Sequence, residues 1–186
     1  FKRIITEFVE RKIPGYTERE VQIPLNSKKI VSLIGARRTG KTTIILNTIK
    51  KLRETNKPQN MIYINFEDDR LFPLELKNLD DILEAYYELY PPSKDEKIYL
   101  FFDEVQNVKN WEKYIRRIYD AGRYFITITG SSSKLLSSEI ATSLRGRSIS
   151  YEVFPFSFRE YLKHKKINVN LYSPDSRGKV KHLFND

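Results

Sequence analysis

Eight consecutive residues, Gly35-Ala36-Arg37-Arg38-Thr39-Gly40-Lys41-Thr42, hold much of the chemistry that this sequence offers. Two glycines five positions apart suit a loop whose backbone N–H groups turn inward around an anion. The lysine after the second glycine adds a cation on a long stem. The Thr42 hydroxyl, followed by Thr43, is the hard oxygen donor that Mg²⁺ accepts. This is the Walker A pattern, and it reads as a cradle for the phosphates of ATP or ADP with Mg²⁺. Lys41 would reach the β and γ oxygens, and Thr42 the metal. Arg37 and Arg38 either touch phosphate or support the loop from outside.

Such a loop needs a carboxylate at the end of a neighbouring strand, and "IYLFFDEVQN" places Asp103 and Glu104 there. Asp103 would orient the metal or its waters. Glu104 would polarise an attacking water. P-loop kinases of small molecules generally lack a glutamate at this position, whereas hydrolysing ATPases carry one. Farther on, "YFITITGSSS" ends in hydroxyls suited to sensing a γ-phosphate. Ser131 is the first choice, Thr129 and Ser132 are alternatives, and a simple hydroxyl-rich helix cap is the competing account. "ATSLRGRSIS" brings Arg145 and Arg147 to just before the fifth strand, where either arginine would face a neighbouring subunit's nucleotide or both would face solvent.

Alternating elements must position these groups. Five short runs rich in β-branched and aromatic residues read as strands: 30–34, 61–66, 98–102, 124–129 and 148–154. Amphipathic stretches between the first four, "KTTIILNTIKKLRE", "LDDILEAYYEL" and "NWEKYIRRIYDAG", read as helices, the last closed by Gly122. Strands alternating with helices predict a mostly parallel sheet covered on both faces. The phosphate loop then falls between the first strand and the first long helix, where a helix dipole favours an anion. Before it come an amphipathic helix in "FKRIITEFVERK" and an extended "REVQIPL"; after the fifth strand, Ser157 and Glu160 form a capping box. Trp111 should anchor its helix to the core. Glu67, Asp68, Asp69 and Arg70 read as a charged loop end or as neighbours of the nucleotide.

Composition narrows the class. The chain has 186 residues, no cysteine and two histidines, which excludes disulfides and thiolate metal sites and leaves oxygen ligands for any metal. No apolar run approaches the length of a membrane span, so a cytoplasmic protein with no membrane partner is the reading. Net charge is +9, distributed as 14 basic against 5 acidic residues in 1–60, 8 against 14 in 61–120 and 11 against 5 in 121–186. Basic ends flanking an acidic middle leave DNA open as a partner.

Taken together, "IGARRTGKTT", "YINFEDDRL", "LFFDEVQNVKNWEKYIRRIYD", "ITGSSSKLLSSEIATSLRGR" and "YEVFPFSFREYL" resemble the prokaryotic AAA-type ATPases, an archaeal and bacterial group with a variable C-terminal region. The resemblance covers nearly the whole chain. It implies an α/β fold of the AAA+-like additional-strand class with sheet order 5-1-4-3-2 and Mg²⁺-dependent ATP hydrolysis, coupled to conformational change either in a homo-oligomer or through the C-terminal region. By that resemblance Lys41 and Thr42 carry over to phosphate and magnesium, Asp103 and Glu104 to the Walker B pair, Ser131 to the sensor and Arg147 to a finger. Ala36 stands where the family usually has proline, which leaves the loop's donors intact. The expected units are an N-terminal helix and extended segment (1–28), the ATPase core (29–155) and the start of a helical lid region (156–186). The chain opens on Phe1, and family members run well past 186 residues, so it reads as a fragment. Three functions fit: a hydrolase coupling nucleotide to conformational change, a slow nucleotide switch, and a DNA-binding protein modulated by nucleotide.

Overall fold

The computed structural model describes residues 1–91, 96–131, 140 and 142–167. The elements that position the site are α1 (Lys2–Glu10), β1 (Ile30–Gly35), α2 (Lys41–Leu52), β2 (Met61–Asn65), α3 (Asp80–Leu89), β3 (Ile98–Asp103), α4 (Trp111–Asp120), β4 (Tyr124–Ser131), β5 (Ser148–Glu152) and α5 (Phe158–His164). The five strands form one sheet in the order β2-β3-β4-β1-β5, the same as the implied 5-1-4-3-2 read from the other edge. All four pairings are parallel, a stricter arrangement than the sequence pattern required. The strand expected to reach residue 154 ends at Glu152, although the Val153 N–H still donates to the Ile34 carbonyl at 2.6 Å.

Both faces of the sheet are covered, as continuous apolar strands demand. β3 is buried along its whole length. On one face Ile64, Leu100, Phe102 and Ile128 pack with residues of α3 and α4. On the other, Val31, Leu33 and Phe101 pack with Ile45 and Ile49 of α2. Helix α1 gives Ile5 to the first layer and Phe8 to the second, bridging them beside the edge strand β2. The 3.6-residue period decides which side chains face inward: α4 buries Trp111, Tyr114, Ile115 and Ile118. Trp111 is buried, as its role as an anchor requires.

Caps fix where the helices stop and start. Gly122 adopts φ +70° just past α4, and its N–H donates to the Tyr119 carbonyl at 2.9 Å. At α5, Ser157 Oγ accepts from the Glu160 N–H at 3.2 Å while Glu160 Oε2 accepts from the Ser157 N–H at 2.9 Å, the reciprocal box read from the sequence. Residues 11–29 contain no helix or strand.

Candidate active site

Parallel strands end together, so the loops after β1, β3 and β4 meet at the C-terminal edge of the sheet. The phosphate loop leaves β1 at Gly35, whose missing Cβ matters: a methyl there would run into the Val153 carbonyl. Thr39 closes the loop on itself by donating from Oγ1 to the Ala36 carbonyl at 2.9 Å. Gly40 stands at φ +96°, a conformation open to glycine, and α2 begins immediately after it. The twelve-residue helix thus points its positive end at the loop. Lys41 is buried, with its Nζ donating to the carbonyls of Gly35 (2.9 Å) and Ala36 (3.0 Å) and lying 3.5 Å from Glu104 Oε1. Arg37 is exposed and donates to Glu67 Oε1 at 2.8 Å, a bond that ties the loop to the segment after β2. Arg38 is exposed and left-handed at φ +65°.

Asp103 lies at the centre of the carboxylate side. It is fully buried, and each oxygen accepts a hydrogen bond. Thr42 Oγ1 (2.7 Å) and the Tyr63 hydroxyl (2.9 Å) donate to Oδ2, and Thr129 Oγ1 donates to Oδ1. The Tyr63 hydroxyl is pushed far above its ordinary pKa by burial first and by the neighbouring Asp103 charge second, so it stays protonated as a donor. Thr129 has a second role: its Oγ1 accepts the Glu104 N–H at 3.0 Å. That bond, together with the Asn107 N–H and side-chain amide on the Glu104 carbonyl, holds Glu104 in the left-handed region at φ +54°, ψ +51°. A non-glycine residue held there costs on the order of 1 kcal/mol or more and persists only where its surroundings over-determine it. The Glu104 carboxylate lies between Lys41 and the Gln106 side-chain amide, which donates to Oε2 at 2.7 Å.

These residues fit the ligands that the pattern implies. A buried ammonium, a glycine-lined turn and a helix start suit phosphate oxygens, while Thr42 Oγ1 and Asp103 Oδ2, already adjacent, are both hard oxygen donors. Among the described residues no group of three or more His, Cys, Asp or Glu would hold a metal by itself. A cation here would take Asp103, Thr42 and substrate oxygens, which is the manner of Mg²⁺.

The structure brings Gly35–Thr43, Asp103, Glu104 and Thr129 together. Ser131 is also close, since it pairs in register with Gly35 across β4 and β1. Ser132 lies outside the described residues. Arg147 is elsewhere: its carbonyl accepts from the Ile30 N–H at the start of β1, and its Nε donates to Asp120 Oδ1 at 3.0 Å. Arg145 is exposed in the same turn. Sequence reasoning missed Tyr63, Gln106 and Arg19. Arg19 reaches the loop from the irregular N-terminal segment and donates from Nη1 to the Thr39 carbonyl at 2.5 Å. No periodicity or motif marks it, so only folding could reveal it.

Sheet order, loop and carboxylate pair define a P-loop nucleotide-binding module of the additional-strand class, β4 being inserted between the Walker A and Walker B strands. Residues 27–162 match the AAA domain family, and the chain belongs to it. It is 41% identical to an uncharacterised protein of the archaeon Methanocaldococcus jannaschii, a match covering 100% of this chain and 40% of the relative. An uncharacterised protein of Haemophilus influenzae is 34% identical over 75% of the chain and 34% of its own length. The chain therefore spans only about two fifths or less of the curated relatives it matches. Among solved structures, the Saccharomyces cerevisiae Hsp104–ADP complex shares the fold at TM-score 0.54 and 18% identity, over 89% of this chain and 23% of that one. No helix among the described residues is long and apolar enough to cross a membrane.

Proposed function

We propose that this chain binds ATP and hydrolyses it to ADP and phosphate. The observation that carries the reading is the convergence of Lys41, Thr42, Asp103, Glu104 and Thr129 at one end of the sheet, with Glu104 held in a strained conformation between Lys41 and Gln106. The loop amides and Lys41 bind and orient the phosphates. Glu104 takes a proton from a water, whose oxygen forms the new bond to the γ-phosphorus as the bond to the bridging oxygen of ADP breaks. Gln106 keeps the carboxylate in place by donating to Oε2. Asp103 and Thr42 would hold Mg²⁺, which supplies charge neutralisation on the β and γ oxygens. Ser131 contacts the γ-phosphate, a role supported by its register with Gly35, and Thr129 acts indirectly by fixing Asp103 and Glu104.

Arg147 completes the site of a second copy rather than its own. From Ile30 to Gly35 is roughly 16 Å at the rise of a β-strand, and Arg147 lies at the Ile30 end. Action in trans within an oligomer is the role its position permits.

Titration with a fluorescent ATP analogue tests the binding step, and steady-state phosphate release tests the chemistry. Lys41→Ala should weaken binding at least about tenfold, the size of one lost charge-assisted contact. Glu104→Gln should bind as wild type and turn over at least about a hundredfold more slowly, the typical share of a general base. Equal affinity in the first variant, or wild-type turnover in the second, removes the corresponding assignment.

A further inference from the structure

Arg19 is buried to 6% exposure in a segment with neither helix nor strand, and its guanidinium joins three distant parts of the chain. Nε donates to Glu160 Oε1 in the first turn of α5 at 2.8 Å. Nη1 donates to the Thr39 carbonyl in the phosphate loop at 2.5 Å, and Nη2 to the Phe154 carbonyl past β5 at 2.7 Å. The Phe156 ring lies under it at 4.9 Å. Glu160 is bonded through both oxygens in turn, accepting from Arg19, from the Glu20 N–H at 2.7 Å and from the Ser157 N–H at 2.9 Å. Three bonds in three directions need a planar fork; a lysine has one charge centre to offer.

The bond to Thr39 bears on phosphate binding because a trans peptide points its C=O and N–H in opposite directions. Holding the Thr39 carbonyl against Arg19 therefore turns the Gly40 N–H away from Arg19. The contact is close enough that a Cβ on Gly40 would collide with Nη1, so the glycine serves the arginine as well as the turn.

Resting on the nucleotide reading above, we propose that Arg19 is a positioning residue: it sets the direction of the Gly40 amide for the phosphates of a nucleotide and, through Glu160, ties the phosphate loop to α5. Coupling of this kind is reciprocal, so bound nucleotide must also tighten the Glu160 network.

Arg53 provides a matched control. It too bridges backbone carbonyls, donating to Arg11 O at 2.7 Å and Phe8 O at 2.8 Å beside the Phe8 ring, but it sits at the far end of α2. Affinity for a fluorescent ADP analogue is measured for wild type, Arg19→Met, Arg19→Lys, Arg53→Met and Lys41→Ala, well below each unfolding midpoint. Arg19→Met should bind about tenfold more weakly, the scale of one oriented hydrogen bond to a charged group. Arg19→Lys should fall between it and wild type, and Arg53→Met should lose stability while binding normally. In the unaltered protein, saturating ADP should slow hydrogen exchange at the Glu20 and Ser157 amides, a readout available whether or not the Arg19 variants fold. Unchanged exchange at both amides overturns the proposal, as does affinity lost equally in Arg19→Met and Arg53→Met, or in neither. Normal binding by Lys41→Ala would instead bring down the nucleotide reading, and this proposal with it.

Discussion

Asp103 accepts from Thr42, Tyr63 and Thr129, three residues from three different elements, which leaves acceptor capacity on Oδ1. Oδ2 keeps one donor if Thr42 or Tyr63 is lost, whereas removing Thr129 leaves Oδ1 without its donor, a loss that costs about 1–3 kcal/mol. Thr129 is the most exposed to this argument, although not to solvent, because its hydroxyl serves Asp103 and the Glu104 N–H at once. We expect Thr129→Val, which keeps the shape, to lower the unfolding midpoint by several degrees and to slow hydrolysis together. Ser131→Ala should differ: stability and ADP affinity stay near wild type while turnover falls, because Ser131 is assigned to the γ-phosphate alone. Calorimetry beside phosphate-release kinetics separates the two, and a Ser131→Ala enzyme with normal turnover would pass the sensor role to another hydroxyl.

At the scale of elements, the junction between β1 and the segment after β5 leaves no room for a methyl. Gly35→Ala would press a Cβ into the Val153 carbonyl, and the backbone has to shift to admit it. Overpacking of this sort costs about 1–3 kcal/mol. Denaturant unfolding should record that loss, with nucleotide binding weakened because the shift begins at the first residue of the loop. The joint between the N-terminal segment and α5 has a pH signature instead. Burial acts to raise the pKa of Glu160, but hydrogen bonds from Arg19 and from the Glu20 and Ser157 amides outweigh it, and the net shift is downward. A lowered folded pKa means that the stabilisation is complete above the ordinary glutamate value of about 4.3 and is lost as pH falls through the lower folded value. Glu160→Gln should therefore cost stability at neutral pH and flatten the acid limb of the stability curve. An acid limb identical to wild type would show that other carboxylates control it.

For the whole molecule, sheet order decides which groups can meet. Inserting β4 between β1 and β3 sets the Walker A and Walker B strands two spacings apart, roughly 9.6 Å, and Thr42 on α2 and Thr129 on β4 span that gap. The same sheet puts Arg147 at the opposite edge from its own phosphate loop, tied to Asp120. To act in trans it would exchange Asp120 for a neighbour's γ-phosphate, where an arginine supplied in this way accelerates hydrolysis by roughly 10³ to 10⁵. Mixing Arg147→Ala with Glu104→Gln protein tests this, since each is expected to be inactive alone. Interfaces that pair an intact Glu104 with an intact Arg147 should regain activity. No recovery at concentrations where the subunits demonstrably associate would leave Arg147 as a structural partner of Asp120.

The strand-loop-helix at 30–52, the carboxylate pair at 103–104, the amphipathic helices after the first and third strands and the capping box at 157–160 were legible from the sequence alone. Each depends on local rules: glycine where a loop must turn, a 3.6-residue apolar period, reciprocal bonds three residues apart. The sheet order came from resemblance, because strand patterns do not by themselves say which strands are neighbours. Only the tertiary structure decided that Tyr63 and Thr129 share Asp103, that Gln106 holds Glu104, and that Arg19 spans from the phosphate loop to a glutamate 141 positions along the chain. Those contacts join residues with no common period and no motif. The physical reason is that a long polar side chain bonds whatever the folded backbone brings within reach, and that choice is made by strand order and layer packing rather than by the neighbours in sequence.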